Sequence, residues 1–365
     1  MDEHSISIQT WKKIKMNGLA MAGLLVISIS IFVAIFAYPL SPDNSPNADL
    51  QTVEIQAKKP GYTQLFLKIP GKHKLQKNIF NRIFKGTIPG YKYVPITGFT
   101  VNKNQLDVDK YIDEDTTVKQ FFNIDQLTGN QRERLNELFV KKKYWLGTDA
   151  FGRDILSRLI IGTRVSLAVG LIALIISLLV GILLGSIAGY YRGRVDAIIM
   201  WLVNITWSIP TLLLVFAITM AMGKGFWQIF VAVGLTMWVS VARLVRGQVM
   251  GMKELEFVQA AKVLGYSNTR IILRHILPNI LGPLMVIGAS NFATAIIIEA
   301  GLSFLGIGVQ PPVPSWGLMI KENYNFIITH NPFLALIPGI AIMILVLAFN
   351  LLGNGLRDAT DVKAV

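Results

Sequence analysis

The sequence predicts an all-α integral membrane protein of six transmembrane helices, with a long extracytoplasmic α+β insert between the first and second spans. Three observations carry this. Of the 365 residues, 52% are hydrophobic and only 16% charged, at a mean hydropathy of +0.50, which is too apolar for a soluble domain of ordinary composition. Six runs carry no charge over a length that covers roughly 30 Å of hydrocarbon. The basic residues that produce the net charge of +13 divide unevenly between the two sets of short connections.

The first element, residues 1–18, is a tail carrying Lys12, Lys13 and Lys15. Leu19–Tyr38 follows without a charge. It is longer than a signal-peptide core and lacks an A-x-A-like cleavage site before Pro39, so it is expected to remain as an anchor. The other spans are Val165–Tyr190, Ala197–Met220, Phe226–Ala242, Ile280–Ile298 and Phe333–Leu352. Pro210 and Pro283 fall within two of them, where neighbouring helices can satisfy the freed carbonyls. Gly181, Gly185 and Gly189, four apart, let a second helix backbone approach closely. If the N-terminus is inside, the inner segments hold Arg192, Arg194, Arg243, Arg246, Lys253, Lys262, Arg270, Arg274, Arg357 and Lys363 as well as the tail lysines, while the short outer loops hold Lys224 and Lys321. The positive-inside rule selects that orientation, with both termini cytoplasmic.

Residues 39–143 form the insert. It opens on the linker SPDNSPN, and TQLFLKIPG and YKYVPITGFTV read as strands between Gly, Pro and Asn turns. Thr116–Lys143 is expected to be helical, from apolar residues three or four apart. Lysines interleaved with Tyr and Phe carry no nucleic-acid recognition motif and read as a solvated face.

Several chemistries have no support. There is no cysteine, hence no disulfide, thiolate metal site or cysteine nucleophile. The pairs Gly71-Lys72 and Gly223-Lys224 lack the rest of a phosphate-binding loop, and His4, His73, His275 and His330 are scattered. Ser303 in GLSFLG does not have G-x-S-x-G spacing and has no evident base. Glu299 is the one ionisable residue assigned to a span end, either satisfied by a neighbouring helix or lining an aqueous path. So few buried charges imply that energy enters elsewhere.

The longest polar interval of the C-terminal half contains FVQAAKVLGYSNTRIILRHILPN, Phe257–Asn279. It predicts a helix over Lys253–Leu264, a left-handed turn at Gly265, an N-cap at Ser267, a second helix over Thr269–Leu277 and a break at Pro278. Ala260 and Ala261 offer a surface of little bulk to a partner. An anionic-lipid patch is an alternative; a helix-turn-helix DNA reader is a poorer one, because the adjoining spans tie the loop to the bilayer.

This loop resembles the E-A-A-x3-G-x9-I-x-L-P loop of bacterial binding-protein-dependent ABC importer permeases, with Gln259, Ala260, Ala261, Gly265, Leu277 and Pro278 in the matching places. Gln259 replaces the glutamate, and His275 stands where isoleucine is usual. LGTDAFGRDILSRLIIGTRVSL (Leu146–Leu167), EAGLSFLGIGVQPPVPSWG (Glu299–Gly317) and AFNLLGNGLRDATD near the end are similar to the C-type permease of dipeptide, oligopeptide and nickel importers. On this resemblance, residues 144–365 are the permease core, with five spans and the coupling loop 243–279. The resemblance implies a subunit of the bacterial inner membrane that forms half of the path for peptides. Its implied partners are a second permease, two cytoplasmic ATPases that bind ATP and Mg, an extracytoplasmic solute-binding protein and the lipid bilayer; no cofactor is bound by this chain. Asp149, Gly152, Arg153, Asp154, Glu299 and Trp316 are the candidates for the outer gate or the contact with the binding protein. Nickel or another small solute is the alternative cargo. A non-transporting signalling or assembly protein with a basic docking loop is the alternative of another class.

Overall fold

The computed structural model describes residues 6–71, 79–128, 132–223, 225–329 and 331–360; His4, Lys72, His73, Lys224, His330 and Lys363 lie outside the described residues. The long helices are α1 (Gly18–Ile35), α2 (Ile155–Tyr191), the pair α3 (Gly193–Ser208) and α4 (Thr211–Met222), α5 (Phe226–Met252), α7 (Leu281–Phe304) and α9 (Phe333–Thr360); the shorter α6 is Glu256–Val263 and α8 is Trp316–Asn323. Among the described residues, five helices are long and apolar enough to cross a membrane, or six if the bent α3–α4 pair counts as one span.

The expected continuous third span is corrected by that pair, whose axes meet at 97°. Pro210 disfavours helical backbone at the residue before it, and Ile209 is extended at φ −92°, ψ 129°. α2 also begins well before the expected Val165, because Ile155–Arg164, which carries Arg158 and Arg164, continues the helix ahead of the uncharged run.

The chain divides into two compact units. The first comprises residues 1–31, 166–310 and 340–365. Its helices approach through small residues, as the glycine spacing on α2 predicts: a Cβ on Gly185 would lie 2.5 Å from the Ala242 carbonyl oxygen and 2.9 Å from Val245 Cβ on α5. Without an oil–water difference between lipid and side chain, such backbone proximity is the main source of attraction between spans. Next to this approach, Val241, Val245 and Val249 of α5 pack with Val258, Ala261, Ile271, Ile272, Ile276 and Leu284.

The second unit comprises residues 32–165 and 311–339. It holds a five-stranded antiparallel sheet in the order β4-β3-β2-β1-β5, with β1 Tyr62–Pro70, β2 Tyr91–Asn102, β3 Gln105–Tyr111, β4 Thr117–Asn123 and β5 Phe139–Tyr144. Alternation along β1 sends Leu65 and Leu67 to one face and Phe66 to the other. On the first face Leu67, Val94, Ile96, Leu106 and Val108 pack under Ile124, Leu127 and Leu138; on the second, Phe66 packs with Ile55, Tyr111 and Tyr144. The expected helix over Thr116–Lys143 is therefore corrected: its two ends are strands, and among the described residues of the stretch Ile124–Thr128 is α-helical and Arg132–Leu138 a 3-10 stretch. β-Branched and aromatic residues in TVKQFF suit a pleated surface. β4 pairs with β3 from Thr117 to Asn123, and β5 pairs with β1, so ladder bonds outweigh a local helical pattern.

Candidate functional site

The coupling-loop residues are assembled in the first unit by three local devices. α6 carries an apolar side, Val258 and Ala261, which is buried. Gly265 ends the helix at φ +79°, a conformation that L side chains with a Cβ rarely adopt. Ser267 then caps the next turn, its side chain accepting from the backbone N–H of Arg270 at 3.4 Å. Pro278 does not break the chain as expected. Asn268–Ile271 is α-helical, Ile272–Ile276 is a π-turn, and Leu277–Ile280 is a 3-10 turn that leads straight into α7. Proline occupies the start of the 3-10 turn, where its missing N–H costs little, and the wider π-turn takes up the change in register.

Side-chain bonds fix the loop to the bundle. Tyr190 Oη donates to Asn268 Oδ1 at 2.8 Å, and Lys253 Nζ donates to the Tyr190 carbonyl at 2.7 Å. The Tyr266 ring lies between the Arg270 guanidinium, 4.2 Å from its centroid, and the His275 ring at 5.7 Å. His275, the departure from the family pattern, thus stacks on an aromatic ring. Gln259 is exposed, and its Nε2 donates to the Lys253 carbonyl at 2.8 Å, so the amide in place of a carboxylate braces the loop's own backbone. Ala260 and Pro278 are exposed, Leu277 half-buried. Beside them Val263 and Leu264 are 88% and 71% exposed; Leu264, whose three-residue spacing groups it with Val258 and Ala261, instead forms with Val263 an apolar tip at the glycine turn.

The second unit holds five of the outer candidates, Asp149, Gly152, Arg153, Asp154 and Trp316. Asp149 makes an Asx-type turn, with Oδ1 accepting from the N–H groups of Phe151 and Arg153 at 2.9 and 3.0 Å. Arg153 Nε donates to Asp149 Oδ2 at 2.6 Å, its Nη1 to Asp49 Oδ1 at 3.2 Å and its Nη2 to Glu322 Oε2 at 2.6 Å. Arg158 Nη2 shares Glu322 Oε2 at 3.0 Å. Burial alone would lower the Arg153 pKa, but Asp149 and Glu322 raise it above the ordinary value. A Cβ on Gly152 would run into the Thr52 carbonyl. Asp154 accepts from the Ser157 N–H at 2.9 Å; burial pushes its carboxyl above the usual range, the Ser157 hydrogen bonds only partly offsetting this. Trp316 is buried, and its Nε1 donates to the Leu159 carbonyl at 3.0 Å. These side chains are spent on one another inside the unit. Asp49, Arg158 and Glu322, which complete the network, were not singled out by sequence reasoning; GTDAFGRDILSR already carried the charges, but the return partner lies more than 160 residues away.

Glu299 is in the first unit, fully buried on α7, with Oε1 accepting from Ser303 Oγ at 2.7 Å. Ser303 Oγ in turn accepts from the Val309 N–H at 2.9 Å. Ser303 thus has a carboxylate partner one turn away that its motif spacing did not offer. Both groups are buried, and the pair fastens the turn after α7.

The family described as "Binding-protein-dependent transport system inner membrane component" matches residues 181–363, which contain the loop just described. The chain belongs to this family. A second match, to the "N-terminal TM domain of oligopeptide transport permease C", covers residues 5–57. The chain is 42% identical over 231 residues to the glutathione transport system permease protein GsiD of Pectobacterium atrosepticum, covering 63% of this chain and 76% of the relative. It is 43% identical over 221 residues to the dipeptide transport system permease protein DppC of Alkalihalophilus pseudofirmus, with 60% and 72% covered. It is 40% identical over 222 residues to the oligopeptide transport system permease protein OppC of Bacillus subtilis, with 61% and 72% covered. Among solved structures, the inward-facing MetNI methionine ABC transporter aligns at a TM-score of 0.48 and 19% identity, over 57% of this chain and 98% of that chain. As a family member the chain is a multi-pass membrane permease subunit of an ABC importer, not an ATP-hydrolysing one.

Proposed function

We propose that the chain forms half of the translocation path of a peptide importer and that cytoplasmic ATPases drive it through the segment from Gln259 to Pro278. The observation that carries this is the apolar tip Val263–Leu264 on a loop otherwise fixed into the bundle by Val258, Ala261, Ile271 and Ile276. Exposed aliphatic side chains on a rigid polar loop are a protein-docking feature, and the buried side transmits a displacement of the loop to α5 and α7. ATP and Mg belong to the two docked ATPases. ATP-driven closure moves the loop as a body and biases the bundle between two states, with coupling set by the difference in contacts between them.

The N-terminus and residues 243–279 lie on the cytoplasmic side, the 39–143 insert outside, and a second, similar permease completes the path. The external binding protein meets the insert side of the subunit, and the Asp149–Arg153–Glu322 network holds that side rigid rather than touching the solute. Peptide is favoured over nickel because the three relatives named above are described as glutathione, dipeptide and oligopeptide permeases. Purification of the tagged chain is expected to retain an ATPase, and vesicles containing the full transporter are expected to accumulate a labelled dipeptide only with ATP. A chain that carries no ATPase and supports no uptake is the signalling or assembly protein instead, and uptake of nickel without dipeptide replaces the cargo.

A further inference from the structure

Within the first unit a second group of polar side chains lies inside the apolar helices, apart from the loop. Thr236, Ser240 and Arg243 on α5, Asn291 and Thr294 on α7, and Trp207 at the end of α3 line one cavity of about 570 Å3, a size in the usual range for a small-molecule site. Three- and four-residue spacing puts the α5 members on one helix face. Asn291 and Ser240 approach to 3.4 Å across the cavity wall. Thr294 and Ser240 are exposed to it, and Asn291 is buried beside them.

The charge of this cavity is one-sided. Among the described residues, no aspartate or glutamate lines it. The Arg243 guanidinium lies over the Trp207 ring, 3.4 Å from its centroid. It donates from Nη2 to Asn204 Oδ1 at 3.1 Å, and its buried Nε has no hydrogen-bond partner. The next arginine on the helix, Arg246, is instead neutralised by a two-point pair with Asp196 at 2.5 and 2.6 Å. Among the described residues, then, Arg243 keeps an uncompensated positive charge in a helix of spanning length. It stands at the inner end of the α5 apolar run, beside a cavity whose other polar lining groups are neutral.

We propose that this cavity is an anion subsite on the transport path, in which Arg243 receives a carboxylate of the passing solute. The inference rests on the permease reading above, and for a peptide the group is the C-terminal carboxylate. The planar guanidinium matches a carboxylate edge with paired donors. Stacking on Trp207 fixes the plane of that fork, and the Asn291 amide supplies a neutral donor beside it, while the Ser240 and Thr294 hydroxyls, which donate to the Met237 and Ser290 carbonyls at 3.0 and 2.9 Å, keep the wall polar. A single charge with one neutral donor beside it keeps the hold weak, as a site that must also release its occupant requires.

The chain has no cysteine, so Thr294→Cys or Ser240→Cys introduces the subunit's one thiol into the cavity. The full transporter in vesicles is treated with anionic 2-sulfonatoethyl methanethiosulfonate or its cationic trimethylammonioethyl counterpart, and labelling of this subunit is followed. The anionic reagent is expected to be favoured, with the anionic-to-cationic rate ratio falling about tenfold on adding Arg243→Gln, equivalent to one unit of charge-assisted contact near 1.4 kcal/mol. Alanyl-alanine is expected to protect the thiol, and alanyl-alanine amide is not. Arg243→Lys keeps the charge but not the fork: it is expected to retain the reagent preference and lose protection by alanyl-alanine, which keeps the test decisive if the glutamine variant is poorly assembled. A ratio indifferent to Arg243, a cavity thiol that neither reagent reaches in any nucleotide state, or protection equal for acid and amide overturns the proposal. Absence of dipeptide uptake by the transporter with the parental subunit bears on the peptide reading alone, since the charge selection is read without transport.

Discussion

Arg153 donates from Nε to Asp149 Oδ2 at 2.6 Å, and both side chains are 2% exposed. Their closeness is the centre of a network in which two guanidinium groups share three carboxylates, Asp49, Asp149 and Glu322. Removing one partner of a buried pair strands the other charge, at a cost of about 3–5 kcal/mol. Glu322→Gln and Asp149→Asn are therefore expected to lower the thermal unfolding midpoint of the detergent-solubilised chain sharply. Glu114→Gln, which breaks the exposed Lys58–Glu114 pair at 2.8 Å, is expected to leave it nearly unchanged, because water screens that contact.

The contrast shows what sequence could and could not tell. Spans were legible because lipid demands a long uncharged run whatever its partners are, and the glycines of α2 announced a close approach without naming α5. The loop from Val258 to Ser267 was legible because caps and a left-handed glycine are local requirements. The partner of Arg153 and Arg158 was not, since Glu322 arrives from a distant segment and its residue type alone carries no address. β4 and β5 were misread for the same reason: TVKQFFN and FVKKKY become strands through pairing with β3 and β1, and the β-branched and aromatic content of the stretches names no partner. The Arg243 cavity was missed because an arginine at the end of an uncharged run reads as a topology signal. Asn291, Thr294 and Ser240, as neutral residues within spans, drew no notice one at a time.

Gly185→Leu is expected to separate α2 from α5. The added Cβ alone would sit 2.5 Å from the Ala242 carbonyl oxygen, a distance that backbone cannot yield without moving the helix. Overpacking of this kind costs about 1–3 kcal/mol or more, and protease digestion of membranes should show a chain that is inserted but cleaved faster. Gly247→Leu on α5, where nothing lies within 4 Å of the added Cβ, is expected to resist digestion as the parent does.

Acid and alkaline limbs of stability are expected to belong to different groups in the second unit. Burial raises the Asp154 carboxyl above its ordinary 3.8, with Ser157, Asp43 and Lys142 nearby. The folded state then holds the proton more tightly than the unfolded one, so stability is highest below 3.8 and falls as pH rises through the elevated folded value. Burial lowers Lys142 below 10.5 despite Asp43 and Asp154. Here the folded state prefers the neutral amine, and stability climbs as pH rises from the depressed folded value to 10.5. Unfolding midpoints measured across pH should lose the first slope in Asp154→Asn and the second in Lys142→Met.

Gly265→Val is expected to uncouple ATP hydrolysis from uptake. The glycine holds φ +79° with nothing within 4 Å of where a Cβ would lie, so the substitution meets no steric neighbour and acts through the backbone alone. A β-branched residue there costs roughly 1–2 kcal/mol in left-handed conformation, and the loop relieves this by rotating α6 against the Ser267 turn. That rotation moves Val263 and Leu264, the exposed tip, and tilts Val258 and Ala261, on the same helix, in their packing against the bundle. Hydrolysis by bound ATPases is therefore expected to continue while accumulation of labelled dipeptide in vesicles falls at least several-fold. Asparagine, which tolerates positive φ, is expected to restore most of the uptake in Gly265→Asn. If the valine variant transports as the parent does, the turn is not what transmits the stroke, and the apolar tip must be a docking point whose orientation is immaterial.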